Sequence, residues 1–148
     1  MNLCGTNDSA ATLRDRSPRP AMVYGARSAH DLALADWFAE HTDLTTATED
    51  GSAGMRGRVT EPLLRLLDGA GDRKLKLFTC GPEPMLQAVG RVAVERGIEC
   101  ELSLEAHMAC GFGVCLGCVA PVRRAGGKTG YDRVCMEGPV MEATCLAW

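Results

Sequence analysis

Residues 74 to 104 read KLKLFTCGPEPMLQAVGRVAVERGIECELSL, and the pattern changes period twice along that stretch. Leu75 to Thr79 is a short, largely apolar run that fits a buried strand. Cys80-Gly81-Pro82-Glu83-Pro84 follows as a turn, and its prolines suit the first turn of a helix, where a backbone N–H has no partner to lose. Leu86, Val89, Val92 and Ala93 then recur at helical spacing up to Gly97, after which Cys100 to Leu104 is strand-like again. Strand, crossover helix and strand in one short span predict a parallel α/β unit.

The same rhythm runs on the N-terminal side. Ala21 to Tyr24 predicts a strand ended by Gly25. Ser28, with Asp31 three residues on, predicts the start of an amphipathic helix carrying Leu32, Leu34, Ala35, Trp37 and Phe38. Leu44 to Thr48 is rich in β-branched residues and predicts another strand, leading into the loop Glu49-Asp50-Gly51-Ser52-Ala53-Gly54. Thr60 can cap a helix carrying Leu63, Leu64, Leu66 and Leu67, stopped at Gly69. Together these elements predict one α/β layer with a parallel sheet over residues 21 to 105. Residues 1 to 20 are polar, close on Ser17-Pro18-Arg19-Pro20, and predict a disordered arm. Residues 106 to 148 lack helical periodicity and predict a small β-rich lobe with strands at Val119 to Val122 and Tyr131 to Val134. No internal repeat or low-complexity segment interrupts this order.

Composition narrows the function classes. The chain has 148 residues, 46% hydrophobic and 24% charged, with a net charge of −3 and a pI near 5.6. That balance leaves no basic footprint for nucleic acid or an anionic membrane. No apolar run approaches the roughly 18 residues of a membrane span, and the N-terminus lacks the pattern of a secretory signal. The eight cysteines, without an export signal, therefore suggest ligated thiolates in a reducing cytoplasm rather than a disulfide framework.

Four of those cysteines carry the chemistry. Cys110, Cys115, Cys118 and Cys135 form the pattern C-x4-C-x2-C-x16-C, which resembles the plant-type way of holding a [2Fe–2S] cluster on three close thiolates and one distant one. Gly111, Gly113 and Gly117 are interleaved with them, as a loop folded closely around a small group requires. Structural zinc, disulfides and unligated thiols are the alternatives. Zinc usually takes two separate short-spaced pairs, and Cys135 has no near neighbour except Cys145.

Ligands of open α/β sheets collect at the C-terminal ends of strands. Three loops qualify here: Gly25-Ala26-Arg27-Ser28, Thr48 to Gly54, and Thr79 to Met85. Arg27 can engage a phosphate or ribose, Asp50 can accept from ribose hydroxyls, and the amides after Gly81 can face an anion. Read singly, Arg27 is a solvated charge, Asp50 a turn former and Cys80 a buried thiol. No G-x-G-x-x-G turn is present to receive a dinucleotide pyrophosphate.

The run from Ser103 to Cys118 containing Glu105-Ala106-His107-Met108-Ala109-Cys110, followed by Val134-Cys135-Met136-Glu137-Gly138-Pro139-Val140, resembles the electron-transfer subunit of two-subunit, NAD-linked dihydroorotate dehydrogenase. Tyr24 to Ser28, Glu49 to Gly54 and Phe78 to Met85 resemble the pyridine-nucleotide half of that subunit and of the wider ferredoxin-reductase-like flavoproteins. The resemblance covers about residues 21 to 141. It implies a truncated ferredoxin-reductase-type α/β sheet followed by a [2Fe–2S] lobe, with Cys110, Cys115, Cys118 and Cys135 as cluster ligands. It further implies that Gly25, Arg27, Asp50, Gly51, Cys80, Gly81 and Pro82 flank NAD(H). The implied activity is a relay in pyrimidine synthesis, from NAD(H) and FAD through the cluster to an FMN-containing catalytic subunit, in a hetero-oligomer. A flavin must stand between nicotinamide and cluster, because one carries a hydride and the other single electrons.

The chain departs from the family's pattern at its start. Residues 1 to 20 cannot represent the flavin-binding β-barrel, and the glycine-rich opening strand of the nucleotide domain is also absent. The expectation is a fragment or shortened homologue that binds a cluster but is not catalytically complete alone. Two other functions stay open: a related NAD(P)H:ferredoxin or hydrogenase-type reductase subunit, and a zinc-stabilised interaction module. Cys100 is expected to be a packed thiol, Cys145 a competitor for fourth ligand, Cys4 a free thiol, and His107 a surface residue. Met108 and Met136 are expected to fill space beside the cluster, and Trp148 to fray at the end of the chain.

Overall fold

The structure, a computed structural model, describes residues 19–148. The expected arm over residues 1 to 20, with Cys4, lies outside the described residues except for its last two positions. The chain divides into two units, one reaching to Gly71 and the other running from Asp72 to Trp148.

In the first unit, β1 (Ala21–Ala26) is followed by a 3-10 turn (Ala29–Asp31), α1 (Ala35–His41), β2 (Asp43–Thr48), the short β3 (Met55–Arg56) and α2 (Thr60–Asp68). β1 lies parallel to β2, from Ala21 opposite Asp43 to Ala26 opposite Thr48, and β3 adds parallel to the far side of β2. Tyr24 on β1 meets Phe38 on α1 edge to face, with ring centroids 5.6 Å apart. His41 is buried and stacks on Trp37 at 4.2 Å. α2 buries Pro62, Leu63 and Leu67. The helix expected to run on from Ser28 is instead broken in two. The Asp31 carboxylate accepts from the Ser28 amide at 3.1 Å and its hydroxyl at 2.8 Å, which closes a tight turn, and Leu34 then adopts a left-handed φ of 57° that no helix can continue.

In the second unit, β4 (Lys76–Cys80), α3 (Glu83–Glu95) and β5 (Glu99–Ser103) form the parallel crossover read in the opening stretch. Pro82 caps α3 and Pro84 sits in its first turn. The buried face of α3 is Leu86, Val89, Gly90 and Ala93. Gly90 permits close approach to β5, since a Cβ there would lie 3.2 Å from Leu102 Cδ1. Beyond β5 come the cysteine loop, the antiparallel hairpin of β6 (Val119–Arg123) and β7 (Thr129–Arg133), α4 (Val134–Glu137), β8 (Val140–Glu142) and a 3-10 turn (Ala143–Cys145).

The fold is α/β, as expected, but its strands group differently. The four strands anticipated over residues 21 to 105 occupy two sheets, ordered β1-β2-β3 and β4-β5-β8. β8 returns to pair antiparallel with β5, placing Met141 opposite Leu102, so part of the 106–148 segment is built into the second sheet. Alternating strands and helices reveal which segments are strands, whereas neighbour choice depends on long-range pairing that periodicity does not encode. α4 and β8 were missed because each is too short to show a period.

Candidate metal centre

The loop that leaves β5 carries Cys110, Cys115 and Cys118, and α4 carries Cys135. Gly111 and Gly113 have φ of 72° and 85°, and Leu116 reaches 56° despite its side chain, so the loop repeatedly turns left-handed. A Cβ on Gly113 would stand 2.6 Å from Met136 Cγ and 3.3 Å from Arg133 Nη1. That position is a seat only glycine can fill, in a conformation that also favours glycine.

These turns aim amides at sulfur. The Cys115 N–H donates to Cys110 Sγ at 3.5 Å, the Gly117 N–H to Cys115 Sγ at 3.4 Å, and the Cys135 N–H to Cys118 Sγ at 3.5 Å. The Val134 N–H donates to the Cys118 carbonyl at 2.8 Å, which ties α4 to the loop. Backbone N–H groups of Cys115 and Phe112, together with the Cys115 side chain, bring the Cys110 thiol down to about 6. The Cys118 thiol is lowered by the backbone and side chain of Cys135. Cys135 moves up, because its thiol bonds to Cys118 and ionising it beside a thiolate is unfavourable.

The amides of Cys115 and Cys135 thus link the four residues two by two, Cys115 to Cys110 and Cys135 to Cys118. Among the described residues, no three His, Cys, Asp or Glu side chains converge on one point as ligands of a single ion. Amide donors to sulfur are the kind of contact that tunes a thiolate-held iron–sulfur cluster.

Two residues that the cysteine spacing does not point to frame these cysteines. Arg133 donates through Nη1 to the Gly113 carbonyl at 3.0 Å, and through Nη2 and Nε to the two Glu137 carboxylate oxygens at 2.6 and 3.3 Å. Glu137 also accepts from the Arg133 backbone N–H at 2.7 Å. Glu137, and at longer range Cys135 and Cys118, hold the guanidinium firmly in its charged form, while Arg133 lowers the Glu137 carboxyl. The i,i+4 spacing of Arg133 and Glu137 was the available signal.

The other sequence-predicted residues fall in separate places. Gly25, Arg27, Asp50 and Gly51 belong to the first unit; Cys80, Gly81 and Pro82 belong to the second. A Cβ on Gly25 would lie 2.2 Å from Val59 Cγ1, so its lack of a side chain already has a packing cause. Asp50 Oδ1 accepts from the Ser52 hydroxyl at 2.6 Å and the Ser52 N–H at 2.9 Å, which holds the carboxyl below its usual range. Ser52 Oγ in turn accepts from the Ala29 N–H at 2.7 Å, and the Asp50 N–H donates to the Arg27 carbonyl at 3.1 Å. The loops after β1 and β2 are therefore stapled together. Cys80 ends β4 exposed rather than buried, followed by Gly81 at φ 153°. Cys100 is buried, as expected, and burial raises its thiol. Cys145 is exposed.

Comparison with known proteins places this geometry. Residues 105–147 match the family described as the iron–sulfur cluster binding domain of dihydroorotate dehydrogenase B. The chain is 39% identical over 142 residues to a dihydroorotate dehydrogenase B (NAD(+)) electron transfer subunit homolog of Aquifex aeolicus, covering 95% of this chain and 52% of that protein. It is 42% identical over 134 residues to the electron transfer subunit of Geobacillus thermodenitrificans, covering 90% and 49%. Among solved structures, a chain of the NADH-dependent reduced ferredoxin–NADP oxidoreductase is similar at 30% identity and a TM-score of 0.68, over 85% of this chain and 43% of that one. The chain spans about half the length of the curated relatives it matches. Residues 105–147 thus resemble the iron–sulfur cluster binding domain of dihydroorotate dehydrogenase B, within a chain similar along most of its length to the electron-transfer subunits of that enzyme.

Proposed function

We propose that this chain is an electron-transfer component that holds a [2Fe–2S] cluster on Cys110, Cys115, Cys118 and Cys135. The observation that carries the proposal is the set of backbone N–H donors that link Cys115 to Cys110 Sγ and Cys135 to Cys118 Sγ, inside the region matched by the cluster-binding family. When bound, such a cluster supplies one-electron chemistry. The chain's own residues supply the thiolates, aim amides that stabilise negative charge on sulfur, and fix the spacing of the two cysteine-bearing segments.

In the full relay, NAD(H) and FAD lie on one side of the cluster and the FMN-containing catalytic subunit for dihydroorotate on the other, in the pyrimidine pathway of a reducing cytoplasm. Phe112, Val114 and Leu116 on the loop and Met136 on α4 are exposed apolar side chains around the cysteines. They offer the partner subunit a surface for close approach, which suits a hetero-oligomer. For the nicotinamide nucleotide, Gly25, Arg27, Asp50 and Gly51 on one hand, and Cys80, Gly81 and Pro82 on the other, are the proposed contacts. They stand at strand ends, where such ligands collect. Among the described residues no helix is long and apolar enough to cross a membrane.

Anaerobic purification, iron and sulfide analysis and low-temperature paramagnetic resonance test the proposal. The expected result is two irons per chain, visible absorption and a signal that appears on one-electron reduction. A colourless protein with one tightly held zinc overturns it. Adding the catalytic subunit with dihydroorotate, and separately ferredoxin, then identifies the acceptor.

A further inference from the structure

We infer that Arg133 is a positioning residue that locks the cysteine loop to α4 and sets the charge beside the Cys118–Cys135 pair. Its side chain bridges the two segments: Nη1 bonds the Gly113 carbonyl within the loop, and Nη2 and Nε bond Glu137 at the end of α4. Between those two anchors lie Cys115 and Cys118 on one segment and Cys135 on the other. The backbone adds the Val134 N–H bond to the Cys118 carbonyl and the Cys135 N–H bond to Cys118 Sγ, which fix the third cysteine, while the arginine anchors the loop further back, at the Gly113 carbonyl.

The guanidinium suits this task because its planar fork can serve a carbonyl and a carboxylate at once, which an ammonium cannot do with the same geometry. Gly113 completes the arrangement. A Cβ at that position would sit 3.3 Å from Nη1 and 2.6 Å from Met136 Cγ, so the carbonyl reaches Arg133 only because the residue has no side chain. Cys135 and Cys118 act electrostatically on this guanidinium, and a positive charge beside thiolates favours whichever redox state carries more negative charge. This inference rests on the proposed cluster for its electrostatic part, and on the chain's own geometry for its clamping part.

Two variants separate the parts. Arg133→Lys keeps the charge and loses the fork; Arg133→Gln loses both. Hydrogen exchange of the amides in residues 110 to 118 reads the clamp, and the cluster's midpoint potential reads the charge. Exchange is expected to speed up by about tenfold in both variants, the scale of a lost charge-assisted hydrogen bond. The potential is expected to fall in Arg133→Gln and to stay near the wild-type value in Arg133→Lys. Unchanged exchange in Arg133→Gln overturns the clamp. An equal shift of potential in both variants, or none in Arg133→Gln, overturns the charge assignment. If the wild-type chain carries no iron, the functional proposal fails and the charge assignment with it, while the exchange measurement still decides the clamp.

Discussion

Gly111 and Gly113 stand two residues apart in the cysteine loop, both at positive φ, yet only one is enclosed. A Cβ on Gly111 would meet nothing within 4 Å, whereas on Gly113 it would press into Met136 and Arg133. Gly111→Ala is therefore expected to cost only the backbone strain of about 1 kcal/mol. Gly113→Ala adds a steric collision, and should lose a larger share of its iron on purification; equal iron content in the two variants would refute the seat at Gly113. In the first unit, Asp50 supplies a pH-dependent contribution. Its folded carboxyl titrates below the ordinary carboxylate range because Ser52 bonds the ionised form. The stabilisation is thus present above about pH 4 and lost as pH falls through the lowered folded value. Asp50→Asn should melt below wild type at neutral pH, with the gap in Tm closing as the solution is acidified below pH 4. A gap that does not change with pH would show that the carboxylate charge is not involved.

Among the elements, β1 carries a tight packing requirement. Gly25 passes so close to Val59 that a Cβ would lie 2.2 Å from its Cγ1, and valine is stiff at χ1 and cannot easily swing aside. Gly25→Ala is expected to destabilise by about 1–3 kcal/mol, the usual range for overpacking. Adding Val59→Ala should restore part of that loss, as a denaturant-melt double-mutant cycle would show; independent, additive effects would contradict the contact. This residue also shows where sequence reading reaches its limit. A glycine ending an apolar run signals a turn or a close approach, and only coordinates show that Val59 is the neighbour. The crossover β4-α3-β5 was legible almost residue by residue, because Pro82 and Pro84 mark the helix start and Leu86, Val89 and Ala93 its buried face. The break between the 3-10 turn and α1 was not legible, since Ser28 and Asp31 give the same capping signal for one turn as for a long helix.

For the molecule as a whole, the second unit depends on Leu102, which is fully buried on β5 between β4 and β8 and under α3. Leu102→Ala is expected to cost about 2–5 kcal/mol. Exchange protection should fall across β4, β5 and β8 together, with faster cluster loss, because β5 leads directly into the cysteine loop. Protection lost on β5 alone would contradict a shared core. The four cysteines stand out in the sequence because a cluster would dictate such intervals, while Arg133 and Glu137 come to the loop only by the folded path of α4. Grouping of the strands into two sheets was hidden for the same reason, since β8 reaches β5 from far along the chain. The amide donors to Cys110, Cys115 and Cys118 carry one more consequence. They already point at sulfur in the folded chain, so an arriving electron would find its solvation built in. Little nuclear rearrangement would then accompany each transfer, and a low reorganisation energy is what lets a redox centre exchange electrons quickly at small driving force.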